Sequence, residues 1–191
     1  MTAADYVELR CRSAFSFLAG ASLPEDLVER AAALGYDVLA LADRGGVYGA
    51  PRFFQAARRA GLRALVGAEV AVAGAGILWL LVEERAGYRN LCRLLTAGAL
   101  GRAKGEALVT WAEVEEHAAG LHCLAGGAEG PFAGTNAAAN LTRLKRLFGA
   151  RPERSAARRR RRARRRAPAC RSRAPRRARP DPPAARRRRG S

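Results

Sequence analysis

Tyr6-Val7-Glu8-Leu9-Arg10-Cys11-Arg12-Ser13 is the stretch whose reading decides the fold. Val7 and Leu9 alternate with polar residues, the period of a strand. Successive strand side chains take opposite faces, so Arg10 and Arg12 point the same way and Cys11 points the other. Read as the first strand of an α/β barrel, the segment ends in a tip with two guanidiniums side by side. Two site residues at i and i+2 on a first strand are a common way to build a metal pair, and here both positions are arginine.

Outward from that tip, Ser13–Gly20 reads as a loop carrying Phe15 and Phe17. Ser22-Leu23-Pro24-Glu25 has the form of a capping box, with Ser22 as cap and Glu25 reaching back. A helix follows, with Leu27, Val28, Ala31 and Leu34 on one face and Gly35 as its stop. Val38–Ala42 is a short, wholly apolar run, the pattern of a buried parallel strand, and it ends in Asp43-Arg44-Gly45-Gly46. A second helix opens near Pro51, turns Phe53, Phe54 and Ala57 inward and ends at Gly61. Ala64–Val72 is a third strand carrying Gly67-Ala68-Glu69. Gly74-Ala75-Gly76 lacks the third glycine of a dinucleotide loop and reads as a turn. Ile77–Val82 is a fourth strand. Tyr88, Leu91, Cys92 and Leu95 share a helix face. Thr110-Trp111-Ala112-Glu113 is a second capping box, opening a helix through Ala119. Leu121–Leu124 is a fifth strand, and Asn140–Phe148 an amphipathic helix. The pairs Phe15/Phe17 and Phe53/Phe54 read as core rather than as a base-stacking platform.

Strand and helix mostly alternate, which predicts parallel strands joined by right-handed crossovers. In barrels the chemistry sits at the C-terminal strand ends. Arg10, Arg12, Asp43, Arg44 and Glu69 all fall at or near such ends, a grouping of polar residues that predicts a site. His117 and His122 have no third ligand nearby and read as structural or solvated.

Charge divides the chain in two. Of the 191 residues, 1–150 hold 16 Lys and Arg against 15 acids, a balance of +1, while 151–191 hold 19 Arg against 2 acids, a balance of +17. The net +18 therefore describes the tail and does not make the body a nucleic-acid binder. Four cysteines (Cys11, Cys92, Cys123 and Cys170) form no C-x-x-C and fit free thiols in a reducing cytoplasm. No N-terminal positive region precedes an apolar run, so no signal peptide is expected. Ile77–Val82, the longest apolar run, is far short of the about 20 residues that span a bilayer, so no membrane association is expected and the expected location is cytoplasmic.

Tyr6–Phe17, Gly20–Gly35, Leu39–Phe53, Gly61–Glu69, the stretch from Arg85 to Gly105, and Trp111–Pro131 together resemble the N-terminal PHP (polymerase and histidinol phosphatase) domain of bacterial DNA polymerase III alpha subunits, especially the error-prone type. The resemblance covers roughly residues 5–149. It implies a distorted (β/α)7 barrel that holds up to three metal ions, Zn²⁺ or Mn²⁺, in hydrolytic members. It also implies a larger protein active in DNA replication and translesion repair, with DNA and the rest of the polymerase as partners. The family's His-x-His is matched by Arg10 and Arg12, and its Asp-His-Asp-Gly by Asp43-Arg44-Gly45-Gly46. Asp43 and the family's Gly-x-Glu carboxylate, Glu69, are the residual metal candidates. A guanidinium has no lone pair and stays protonated, so Arg10, Arg12 and Arg44 are expected to replace metal charge by pairing with Asp43 and Glu69. No catalytic residue and no cofactor are expected in this chain. The nucleotidyltransferase centre of the intact polymerase needs carboxylates holding Mg²⁺, which in the family lie beyond residue 191.

The barrel is expected to be incomplete. After the helix ending at Phe148 the family continues with another strand, and here Arg151–Ser191 follows. Of these 41 residues, 35 are Arg, Ala, Pro or Gly, and none is aromatic or a large aliphatic, a composition that predicts disorder. Two readings of the tail stand: an arm binding nucleic acid non-specifically through phosphate, or a frameshift, since those four residues are encoded by codons of G and C. Two readings from other classes also stand for the whole: a stand-alone metal-dependent phosphoesterase, and a basic nucleic-acid-binding protein acting through its tail.

Overall fold

The structure, a computed structural model, describes residues 6–103 and 105–149. The tail and Cys170 lie outside the described residues.

Strand β1 (Val38–Arg44) is buried along its middle five residues, as its apolar run predicts. Strand β2 (Arg63–Val72) lies parallel to it, from Val38 opposite Arg63 to Arg44 opposite Glu69. Helices α1 (Pro24–Ala33) and α2 (Ala50–Ala60) pack beside this pair. Helix α1 ends in a Schellman arrangement: Tyr36 N–H donates to the Ala31 carbonyl and Gly35 N–H to that of Ala32. Its N-terminus differs from the expected box. Leu23 is the cap residue and its N–H donates to Asp26 Oδ2 (3.2 Å), while Glu25 reaches away to Arg52 (2.6 Å). Pro24 at the first helical position moves the start one residue on, which makes Asp26 the third residue of the helix. In α2, Phe53 and Ala57 are fully buried, and Gly61 closes the helix at φ 76°. Phe54, expected inward, is exposed, because α2 buries a narrow face against β1 and α1.

The expectation of parallel strands fails after β2. Strand β3 (Gly76–Val82) pairs antiparallel with β2, and β4 (Leu121–Leu124) antiparallel with β3. A parallel return needs a dozen or more residues, and Ala73–Ala75 is too short. Gly74 and Gly76 adopt φ of 71° and 77° to make the reversal. An apolar run buried on both faces marks an interior strand without fixing its direction. The sheet order is β1-β2-β3-β4.

Helix α3 (Arg85–Ala99) buries Gly87, Leu91, Leu94 and Gly98, a face rotated from the expected one, so that Tyr88 is partly exposed. The box opening α4 (Trp111–His117) forms as read: Glu113 N–H donates to Thr110 Oγ1 (3.3 Å) and Thr110 N–H to Glu113 Oε2 (2.6 Å). The last helix, α5 (Ala137–Leu144), begins earlier than expected and passes into one π-helical turn, Lys145–Gly149.

Three apolar clusters follow from strand alternation. Leu39 and Leu41 meet Val28, Ala31, Phe53 and Ala57. Ala68, Val70, Leu78 and Leu80 meet Leu91, Leu94, Val114 and Leu144. On the other face, Ala40, Ala42, Trp79 and Leu81 gather with Leu9, Leu65, Ile77 and Leu124. Removing a ring such as Phe53 from such a core costs about 3–5 kcal/mol.

The first segment does not form a continuous strand. Ala40 N–H donates to the Glu8 carbonyl (3.0 Å) and Ala42 N–H to that of Cys11 (2.9 Å), with one parallel bridge, Cys11 to Leu41. Three residues of the segment thus match two of β1. The extra residue interrupts the ladder, as in a bulge.

Candidate functional site

Register places the site before any side chain is considered. Arg44 on β1 lies opposite Glu69 on β2, which lies opposite Trp79 on β3, which lies opposite Leu124 on β4. Neighbouring strands stand about 4.8 Å apart, so the four form one row on the face that carries Ala42, Trp79 and Leu81.

Glu69 is the centre of that row. It is only 2% exposed, and a buried carboxylate is costly unless paired. Arg12 donates to Glu69 Oε1 from Nε, with Nη2 also on that oxygen. Arg44 Nε donates to Glu69 Oε2 at 3.4 Å, and Arg44 Nη2 lies 3.9 Å from Glu129 at the rim. The guanidinium carbons of Arg10 and Arg12 sit 4.3 and 4.9 Å from the Trp79 ring centroid, a cation–π arrangement. Both arginines therefore share the Trp79 side, and Cys11 packs the other way, against the cluster of α1 and α2. Burial pushes the Cys11 thiol up to about 11.

Asp43 does not join this group. It neighbours Arg44 in sequence, so alternation sends it to the opposite face, where it is 1% exposed. Ser13 N–H (2.7 Å) and Ser16 Oγ (2.7 Å) donate to its Oδ1, and Ser13 Oγ lies 3.0 and 2.9 Å from its two oxygens. Arg44 N–H donates in turn to Ser16 Oγ (3.0 Å). A Cβ at position 49 would stand 2.8 Å from Asp43 Oδ2, so glycine there lets the next loop close over the carboxylate. Asp43 thus ties the loop after residue 12 to the end of β1. The expected pairing is corrected accordingly: Arg12 and Arg44 share Glu69, Arg10 stacks on Trp79, and Asp43 is satisfied by an amide and two hydroxyls.

The donors on the Trp79 face do not fit a metal ion. A metal ligand must offer a lone pair, and beside Glu69 stand guanidiniums, with Asp43 behind the sheet. Among the described residues no three His, Cys, Asp or Glu side chains gather as a ligand set. His117 ends α4 and His122 lies on β4.

Sequence reading missed Trp79, Ser13, Ser16 and Glu129. Trp79 sits in a wholly apolar strand, and only the β2–β3 register puts it beside Glu69. Ser13 and Ser16 are three residues apart around a turn, a spacing that offers a carboxylate two hydroxyls. Phe15 and Phe17 of the same loop, expected in the core, are exposed, because Ser13 and Ser16 take its inward positions.

The PHP domain family matches residues 8–154. The chain belongs to that family. This PHP domain is similar to proteins named error-prone DNA polymerase. It is 43% identical over 167 residues to that of Anaeromyxobacter sp. (strain K), covering 80% of this chain and 14% of that protein. It is 45% identical over 116 residues to that of Rhodopirellula baltica, covering 61% of this chain and 10% of that protein. The chain thus spans a small part of the length of these relatives. Among solved structures, it is similar to an amidohydrolase from Chromobacterium violaceum with bound sulfate and no metal, at 27% identity and a TM-score of 0.40 over 48% of this chain and 32% of that one. It is likewise similar to a candidate metal-dependent phosphoesterase from Bifidobacterium adolescentis, at 24% identity and a TM-score of 0.40 over 51% of this chain and 34% of that one. At those scores neither likeness bears on function. Among the described residues no helix is long and apolar enough to cross a membrane.

Proposed function

We propose that this PHP domain is a portion of an error-prone DNA polymerase whose metal site has been replaced by an arginine clamp, and that it serves the polymerase as scaffold. The observation that carries the reading is Glu69, a buried carboxylate held by Arg12 and Arg44 where a hydrolytic relative would need lone-pair donors. Charge-assisted bonds satisfy the carboxylate that a metal would otherwise hold. The site residues of this reading are Arg10, Arg12, Arg44 and Glu69, with Asp43 reassigned to holding the loop. The similarity to whole polymerases supports DNA and the remainder of such a polymerase as partners of the intact protein. The mixed sheet is compatible with part of a PHP barrel.

Elemental analysis of the purified chain tests the proposal. The expected result is substoichiometric zinc and manganese and no phosphomonoesterase activity with added Mn²⁺. Stoichiometric metal that disappears on Glu69→Gln would overturn it and restore the phosphoesterase reading.

The tail belongs to this reading as an out-of-frame extension. The family match ends at residue 154, close to Arg151, where the composition turns to Arg, Ala and Pro. Resequencing the gene tests this. A polymerase-like continuation in a neighbouring frame is expected, and an uninterrupted frame with no such continuation would favour an arm that binds nucleic acid.

A further inference from the structure

Beside the clamp lies a cleft of about 240 Å³, walled by Arg10, Arg12, Ile77 and Trp79 and by residues 126–130. Its guanidiniums are not equally paired. Arg12 is taken up by Glu69, and Arg44 lies between Glu69 and Glu129. Arg10 is exposed, has its guanidinium carbon 4.3 Å from the Trp79 ring centroid, and among the described residues has no carboxylate within ion-pair distance of its side chain. The Glu8 carboxylate nearby is taken up by the Arg10 backbone N–H (2.7 Å) and the Tyr6 hydroxyl (2.8 Å), so among the described residues the Arg10 guanidinium is the one of the three without a carboxylate partner. In front of its Nη atoms the wall is bare backbone: a Cβ at Gly127 would stand 3.6 and 3.7 Å from them. Ile77 is the apolar side chain open to the cleft, while Trp79 is buried beneath the two guanidiniums.

We propose that this cleft seats one carboxylate from an acidic peptide segment of a partner protein. Arg10 would hold the carboxylate in its two-pronged fork, and Ile77 would take the methylenes behind it. A strand of phosphates suits the cleft less well. One unpaired guanidinium matches one carboxylate, and the neighbouring phosphates of a polynucleotide would be carried past Glu129 at the rim and Glu8 beside Arg10. The proposal deepens the scaffold reading by naming the chemistry of one contact. Its test is independent of the metal measurement, because Arg10 does not touch Glu69.

The test uses the full chain with Trp111→Phe, which leaves Trp79 as the sole tryptophan, since the chain holds two. Trp79 emission then reads the cleft and not the Arg-rich tail, which attracts any anion. The probes are a terminally blocked Gly-Leu-Glu-Leu-Gly peptide, its Gln counterpart, inorganic phosphate and oligo-dT. The Glu peptide is expected to shift Trp79 emission saturably, with the Gln peptide at least tenfold weaker. Arg10→Gln should lose at least tenfold in affinity with an unchanged far-ultraviolet circular dichroism spectrum, and Arg10→Lys should keep part of it. If Trp111→Phe does not fold, the Trp79 indole N–H resonance of the unmodified chain reads the same contact. No saturable response, equal binding of the Gln peptide, or tighter Arg10-dependent binding of phosphate or oligo-dT would each overturn the proposal, the last making the cleft a phosphate site.

Discussion

Arg12→Ala should destabilise the domain more than Glu69→Gln, although both break the same ion pair. The asymmetry comes from burial. The Glu69 side chain is 1% exposed, whereas those of Arg12 and Arg44 are 29% and 51% exposed. Removing Arg12 leaves the buried carboxylate, among the described residues, with Arg44 at 3.4 Å as its one side-chain partner, and also removes one cation from Trp79. Breaking a buried pair this way costs about 3–5 kcal/mol, and partial exposure of Arg12 argues for about 3. Glu69→Gln leaves two guanidiniums that can turn to water, with an amide oxygen still able to accept, so the loss should be about 1 kcal/mol. Arg12→Met with Glu69→Leu removes both charges and should fall within about 1 kcal/mol of the parent. For a domain of this size 1 kcal/mol moves Tm by about 2–4 °C. Arg12→Ala should therefore lower Tm by roughly 6–12 °C and Glu69→Gln by roughly 2–4 °C. Thermal melts and urea titrations followed by circular dichroism give the numbers, and Arg12→Ala combined with Glu69→Gln closes the cycle. If Arg12→Ala proves no more damaging than Glu69→Gln, Glu69 is not buried behind its partners and the clamp reading falls.

Ser16→Ala should cost about 1–3 kcal/mol, because Asp43 Oδ1 loses a buried donor and Arg44 N–H loses its acceptor; a loss below 0.5 kcal/mol on the order of surface variants would count against the loop tie. Burial holds the Cys11 and Cys123 thiols up to about 11 and about 12. Both should resist iodoacetamide at pH 8 in the folded chain and react once it is unfolded in urea, since only the thiolate attacks; mass spectrometry locates the label. The hydrogen bonds from Thr110 hold the Glu113 carboxyl below the usual range. Stability from this cap should be present above the unfolded carboxyl range and be lost as pH falls through the lowered value. Thr110→Ala should cost about 1 kcal/mol at pH 7, with a smaller difference at pH 3.

Sequence alone determined the elements whose causes are local. The buried run of β1, the glycine stops of α1 and α2, the Thr110 box and the turn at Gly74–Gly76 are each written within a few residues, because capping, φ preference and strand period act over that range. The common direction of Arg10 and Arg12 was legible in the same way, as was the resemblance that named the family. Only tertiary structure decided what those groups meet. Asp43 and Arg44 are adjacent in the chain, yet the pleat sends one to Ser13 and Ser16 and the other to Glu69. Trp79 is one apolar residue among many until an antiparallel register lays it beside that glutamate. Pairing of β3 with β2 and β4 turned an apolar run of unfixed direction antiparallel, and the inward-facing serines left Phe15 and Phe17 outside. Strand period says which residues share a face. Register and curvature, which depend on segments far apart in the chain, say which faces come together, and the clamp on Glu69 exists only at that level.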